Sequence, residues 1–230
     1  MLWQESDADS RYVVPDTVQD LAFALECRQL PVDHADALRA AVLAELPWLA
    51  DEPLAGIHQI HVAESGNGWF RPDDETQMLC LSKRTKLHLR LPAHRLEQAI
   101  ALSGREIEVA GQTMRVGKAK PRTLSTQGTV FARYVALPEH DEDRFIAHAA
   151  ERLRERGVTV RKAMCGRTHV IQTASGHLET RSLMIADLKP DEAVRVQQTP
   201  LGEGRLLGCG LFLPHKGIEA VKSASDQQSG

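Results

Sequence analysis

Residues 201–218 read Leu201-Gly202-Glu203-Gly204-Arg205-Leu206-Leu207-Gly208-Cys209-Gly210-Leu211-Phe212-Leu213-Pro214-His215-Lys216-Gly217-Ile218. Four of the sixteen glycines in the chain fall within nine residues here, with one arginine between the two pairs. Glycine admits φ > 0 and lets another backbone approach closely. Successive N–H groups in such a turn can converge on an anion, and Arg205 would add a bidentate phosphate fork. The expectation is an anion-binding loop leading into an apolar strand from Leu211 to Leu213; a tight hairpin carrying a chance arginine is the competing reading.

Upstream, the chain falls into two rounds of strand and helix. Val18 to Cys27 is strand-like, and Pro31 ends it. Asp33 is placed to cap a helix from about His34 to Ala44, with Leu38, Ala41 and Val42 at helical spacing, and Pro47 breaks it. Ile57 to Val62 alternates as a strand, and Lys86-Leu87-His88-Leu89-Arg90-Leu91 has clean period-two spacing. Leu96, Ile100 and Leu102 mark a helix closed by Gly104, and Ile107 to Val116 reads as a hairpin around Ala110-Gly111-Gln112. After a basic linker, Thr129 to Leu137 is a strand and Asp141 to Arg156 a charged helix with a Phe145, Ile146, Ala149, Leu153 stripe. Val158 to Met164, Thr168 to Thr173 and Leu183 to Leu188 are strand-like, and a short helix starts at Pro190-Asp191. The order predicts an α+β chain of two tandem ferredoxin-like βαββαβ domains, a unit shared by many RNA-recognition modules. The boundaries are an N-terminal arm over 1–17, a first domain over 18–117, a linker over 118–128, a second domain over 129–218 and a polar tail over 219–230.

Composition narrows the class. At 230 residues and 42% hydrophobic, the chain can bury a core in one or two domains. No stretch has the roughly 18 uninterrupted apolar positions of a membrane span, and the acidic first twenty residues lack a signal peptide's apolar region. Cys27, Cys80, Cys165 and Cys209 lie far apart with no CxxC pair, which fits a reducing cytoplasm and argues against a zinc or disulfide framework. The net charge of −3 is unevenly spread: residues 1–60 hold three basic and eleven acidic side chains, residues 61–230 twenty-five basic and twenty acidic. A polyanion is therefore expected to meet the later part of the chain.

Combined with the glycine-rich ending, this layout resembles the CRISPR-associated endoribonucleases that cut long repeat transcripts into guide RNAs. These are members of the repeat-associated RNA-binding superfamily. The residues that carry the resemblance are the loop Gly202-Glu203-Gly204-Arg205-Leu206-Leu207-Gly208-Cys209-Gly210, then Leu30-Pro31-Val32-Asp33-His34, Pro47-Trp48-Leu49, Gly56-Ile57-His58 and Pro214-His215-Lys216-Gly217-Ile218. The local motifs are similar to the MYXAN-type branch, over roughly residues 18–218. The resemblance implies metal-independent cleavage with no cofactor: the ribose 2′-OH attacks the adjacent phosphate and leaves a 2′,3′-cyclic phosphate and a 5′-OH. It also implies a CRISPR repeat hairpin as substrate, retention of the guide-RNA product and association with other CRISPR effector subunits. A non-catalytic RNA-binding subunit of the same fold is the main alternative; a ferredoxin-like enzyme for a small ligand or phosphate is a weaker one.

By this resemblance His34, at the start of the first helix and facing a cleft, is the proton-transfer residue, since histidine titrates near working pH. The same resemblance assigns RNA contacts to Gly202, Gly204, Arg205, Gly208, Gly210, His215 and Lys216. Arg161, Lys162 and Arg167 are assigned to the hairpin stem, whose A-form surface offers phosphates and 2′-hydroxyls. His58 and His61, three apart on a strand-like run, would point to opposite faces and ligate no common metal; one is a candidate second proton-transfer group. Lys86, His88 and Arg90 share one strand face, read as solvated rather than as an RNA platform. With only ten aromatic residues, stacking on an exposed aromatic sheet is not expected.

Overall fold

A computed structural model describes residues 12–64, 68–70 and 77–215. Its first half runs β1 (Val18–Glu26), β2 (Gln29–Pro31), α1 (Ala35–Glu45), β3 (Gly56–Ile57), β4 (Val62–Glu64), β5 (Gly68–Phe70), β6 (Met78–Cys80), β7 (Lys86–Pro92), α2 (Leu96–Ile100), β8 (Glu106–Val109) and β9 (Gln112–Arg122). The second runs β10 (Val130–Val135), α3 (Glu142–Glu155), β11 (Lys162–Thr173), β12 (Gly176–Ala186), α4 (Pro190–Gln198) and β13 (Leu213–Pro214).

The first sheet has the order β3-β7-β1-β9-β8 and the second β11-β12-β10-β13. Setting aside the edge strand β8, each sheet places its second, third, first and fourth strands side by side, which is the order of a βαββαβ ferredoxin-like unit. The alternating apolar residues explain this. Leu21, Phe23 and Leu25 of β1 join Leu87, Leu89 and Leu91 of β7 in one core with Leu38 and Val42 of α1. A second core gathers Val130 and Ala132 of β10, Leu183 and Ile185 of β12, and the Phe145, Ala149, Leu153 stripe of α3. Asp141 caps α3, its side chain accepting the Arg144 N–H at 3.0 Å. Among the described residues no helix is long and apolar enough to cross a membrane.

Several local expectations shift. Helix α1 begins at Ala35, with His34 rather than Asp33 at the N-cap position and no side-chain cap bond. The run from Ile57 to Val62 is not one strand: Gly56 and Ile57 pair with β7, and Val62 restarts in a separate pairing with β5. Lys118 to Arg122, read as the start of a linker, continues β9 along β1, with Arg122 opposite Asp20. The two strand-like runs before Ser175 form the single strand β11, whose pairing with β12 shifts register between Cys165 and Thr168. Residues 1–11, Lys216 and the tail over 219–230 lie outside the described residues.

The largest departure is Arg90. Period-two spacing put it on the solvated face with Lys86 and His88, yet it is 0% exposed. It lies directly opposite Asp20 in the β1–β7 ladder. Its Nε and one terminal nitrogen donate to the two Asp20 oxygens at 2.9 and 3.0 Å. The other terminal nitrogen donates to the Gln197 and Phe212 carbonyls of the second half at 3.0 and 2.8 Å. This face of β7 meets the second domain instead of water. Removing one partner of such a pair strands a buried charge: Asp20→Leu is expected to lower unfolding free energy by about 3–5 kcal/mol in urea titrations. The double variant Asp20→Leu/Arg90→Met is expected to lose less than Asp20→Leu alone.

Candidate functional site

The glycine-rich stretch folds as a clasp between the two halves. Gly202, Gly204, Gly208 and Gly210 all have positive φ, from 69° to 84°. At two of them the requirement is absolute in space as well as in angle. A Cβ on Gly202 would run into the carbonyl of Ala136, and one on Gly210 into the backbone of Leu201. The loop therefore lies directly on the end of β10, with the Gly210 N–H donating to Tyr134 O at 2.7 Å and the Glu203 N–H to Ala136 O at 3.1 Å. Its tip reaches the first half, where Gln59 Nε2 donates to Leu207 O at 2.8 Å.

Arg205 does not present a free phosphate fork. Its terminal nitrogens donate to the carbonyls of Leu49, Ala50 and Ala55 at 3.2, 2.6 and 3.4 Å. Leu49 and Ala50 close a short 3₁₀ turn (Pro47–Ala50), whose last carbonyls have no partner within the turn and attract a cation. Arg205 is a tie between domains. Above it, a cavity of about 380 Å³ opens between α1 and the loop, lined by Asp36, Arg39, Thr173, Ser175, Gly204 and Arg205, among others. Asp36 ties α1 to the β11–β12 turn there: one oxygen accepts from Arg39 Nε on the same helix at 2.8 Å and the other from the Ala174 N–H at 3.0 Å. Sequence reasoning missed Asp36 and Arg39; their i, i+3 spacing on the polar side of α1 was the available signal.

His34 is 1% exposed and is not among the described residues that line this cavity, so its ring does not face a cleft as expected. Its Nδ1 donates to Pro31 O at 2.8 Å, and its Nε2 accepts the Ile60 N–H at 3.1 Å. The two bonds fix the tautomer, with the proton on Nδ1 and the lone pair on Nε2. A helix start entered from an irregular turn leaves carbonyls at Pro31 and Val32 unsatisfied by the helix, and the imidazole fills that need.

The other assigned residues separate into two places. Arg161 donates to both Glu192 oxygens at 2.6 and 3.3 Å and to the Asp187 carbonyl at 3.1 Å, so its guanidinium ties β11 to α4 rather than standing ready for RNA. Lys162 pairs with Asp187 at 2.8 Å on an exposed surface, and Arg167 is exposed at the β11 register shift. His215 is instead at the seam between domains, its ring 5.6 Å from that of Phe131. His61 and His169 flank Tyr134 there, with ring centroids 6.2 and 5.6 Å away. Among the described residues no three His, Cys, Asp or Glu side chains are grouped to hold a metal ion.

The Cas6 family, described as Cas6 Crispr, matches residues 19–217. A curated relative, the CRISPR-associated endonuclease Cas6 of Myxococcus xanthus (strain DK1622), is 28% identical over 205 residues, covering 89% of this chain and 84% of the relative. Among solved structures, an RAMP protein binding different RNA substrates superposes with a TM-score of 0.61 at 14% identity, over 86% of this chain and 100% of that one. A CRISPR-associated Cas6 protein gives 0.59 at 13% identity, with the same shares. A structure from the characterization of a Cas6-related gene of Pyrococcus furiosus gives 0.56 at 13%, over 85% and 97%. At these identities the superpositions speak to the fold alone.

The Arg161–Glu192 tie has a measurable pH signature. The Arg161 hydrogen bond, helped by the Lys189 and Thr159 amides, holds the Glu192 carboxyl at about 2 against an ordinary 4.5. A depressed carboxyl contributes stability that is complete above its unfolded pKa and is lost as pH falls through its folded one. Urea midpoints of the wild type are therefore expected to fall between about pH 4.5 and pH 2 more steeply than those of Glu192→Gln.

Proposed function

The chain belongs to the Cas6 family, and from that premise we propose that it is a metal-independent endoribonuclease that cuts CRISPR repeat RNA. In this reading the ribose 2′-OH beside the scissile bond attacks the phosphate, expels the 5′ oxygen and leaves a 2′,3′-cyclic phosphate. The chain then stays on the product hairpin and joins other subunits of a CRISPR effector complex. The observation that carries the reading is a tautomer-fixed histidine at the start of α1, the helix whose Arg39 lines the cleft against the glycine-rich loop.

Proton transfer is assigned to His34. The reaction needs a base for the 2′-OH and an acid for the 5′ oxygen, and one imidazole nitrogen can serve either. Nε2 is the nitrogen with the lone pair, and the Pro31 carbonyl keeps the proton on the far side. For Nε2 to meet RNA, the Ile60 N–H must leave it, so the assignment includes a local shift of the segment at Gln59–His61 on binding. Arg39 supplies positive charge for the developing phosphorane. The glycine-rich loop, through Gly202, Gly204, Gly208 and Gly210, shapes the cleft wall; His215, Lys216, Lys162 and Arg167 extend the RNA contacts, while Arg205 and Arg161 act through the scaffold.

The burial of His34 is also what favours a second reading, an RNA-binding subunit in which His34 is an architectural residue. One assay separates them. Wild type, His34→Ala, His34→Gln and a substrate with a 2′-deoxy residue at the cut are compared in excess EDTA on hairpin repeat RNA. The expected result is cleavage by wild type alone, with both variants reduced by at least about 100-fold while hairpin affinity stays within a few-fold. A His34→Gln protein that folds and cuts at the wild-type rate overturns the assignment. Tight binding with no cleavage by wild type favours the subunit reading.

A further inference from the structure

Asp36 and Arg39 are three residues apart on α1, and an ion pair of that spacing on a helix surface is ordinarily weak. This one is held from both ends. Asp36 Oδ1 accepts from Arg39 Nε and Nη2 at 2.8 and 2.6 Å, and Oδ2 accepts the Ala174 N–H at 3.0 Å. Ala174 belongs to the second half of the chain, in the two-residue turn Ala174-Ser175 that joins β11 to β12. Thr173 and Gly176 pair across that turn, and Thr173 Oγ1 donates to the Gly176 carbonyl at 3.0 Å. One carboxylate oxygen is thus bound by the helix and the other by the second domain, so the carboxylate cannot swing with the arginine. A guanidinium has several more N–H groups than one oxygen can accept. Asp36 takes the Nε side, and Nη1 has no hydrogen-bond partner among the described residues. Arg39 lines the cleft between α1 and the glycine-rich loop, so the donors left over are those open to a ligand there. The guanidinium groups of Arg39 and Arg205 and the single carboxylate of Asp36 line that cleft among the described residues, a formally positive balance.

We propose that Asp36 is a positioning residue for the cleavage step: it holds the Nε side of Arg39 so that the opposite edge of the guanidinium meets a phosphate oxygen of the RNA. The Ala174 bond makes that aim depend on the β11–β12 hairpin being seated on α1. The proposal deepens the RNA-cleaving reading and rests on it for the substrate and for the role of Arg39. The sign of the charge is what singles Asp36 out. A carboxylate beside a bound polyanion opposes binding, so whatever it contributes has to appear in the rate and not in the affinity. Arginine carries a long, flexible stem. A guanidinium fixed before the substrate arrives needs no reordering when negative charge develops on the phosphate, which is how a preorganised cation lowers a barrier. The competing role is local: an acidic residue in the first turn of α1 also favours the helix start. That role acts on stability and does not pass through Arg39.

The test is a double-mutant cycle on the full chain with hairpin repeat RNA. Wild type, Asp36→Asn, Arg39→Ala and the double variant are compared in single-turnover cleavage at saturating protein. Dissociation constants are measured on the same hairpin with a 2′-deoxy residue at the cut. Asp36→Asn keeps the size of the side chain and removes its charge. It is expected to slow cleavage by about tenfold or more while the hairpin binds as tightly as to wild type or more tightly. Arg39→Ala is expected to slow cleavage by about 100-fold or more. In the Arg39→Ala background, Asp36→Asn is expected to change the rate by less than about twofold, because its effect passes through Arg39. In NMR spectra of the free protein, the Arg39 Nε–H is expected to exchange slowly with water in wild type and faster in Asp36→Asn. Cleavage by Asp36→Asn at or above the wild-type rate overturns the positioning role, as do rate losses that multiply in the double variant. In both cases wild type still cuts and the endoribonuclease reading stands. If wild type cuts no repeat hairpin, that reading falls and takes the positioning role with it.

Discussion

The contact between Arg90 and Asp20 constrains everything else in the molecule. A guanidinium with no exposure must have its charge and its donors answered within the protein, and here a single carboxylate opposite it in the ladder answers the charge. The remaining donors go to two carbonyls that belong to α4 and to the segment leading into β13, both in the second half of the chain. The interface between domains is therefore set by directional bonds as well as by apolar area. A slide of the second domain by even an ångström or two would break donors that have no water to fall back on. The carboxyl of Asp20 is held far below the ordinary range by Arg90 and His58 against the cost of its burial.

The glycine-rich stretch repeats the same logic at the other end of the interface. Its glycines let it lie flat on β10 and on its own return, and Arg205 spends its donors on three carbonyls of the first domain. Gly56 completes the fit, because the space that its Cβ would take is filled by the Leu211 side chain. Residue types chosen for anion binding and residue types chosen for close backbone contact are the same, glycine and arginine. That is why the loop reads as a phosphate cradle in one dimension and as a clasp in three. The two roles are compatible: a wall must be rigid before it can shape a cleft.

What could be read from the sequence follows the range of the interactions. The helices at Ala35–Glu45 and Glu142–Glu155, the hairpin at Ala110-Gly111 and the alternation in β7 are local, and their periodicity announced them. The strand order followed because helices and strands in that succession have few ways to pack. Arg90 was misread because an alternating strand shows which residues share a face but not what covers it. Lys118 to Arg122 was misread because charged residues on the outer face of β9 look like a linker until the pairing with β1 is known. Arg161 and Arg205 have partners 31 and about 150 positions away, respectively, beyond any local signal. Cationic side chains advertise an anion; only the fold tells whether it is a carboxylate or carbonyl of the same chain or a phosphate from outside.

The proposed role of His34 ties proton transfer to the opening of a buried contact. In the resting arrangement Nε2 is an acceptor facing the Ile60 N–H. A proton on Nε2 would set two donors against each other, with Nδ1–H already committed to Pro31 O. Protonation and release of Ile60 favour one another for the same reason. A substrate that displaces the Ile60 amide would gain access to the lone pair and at the same moment remove the main obstacle to its taking up a proton. On the proposed assignment, the Ile60 contact would keep His34 covered in the free protein and confine proton transfer to bound substrate.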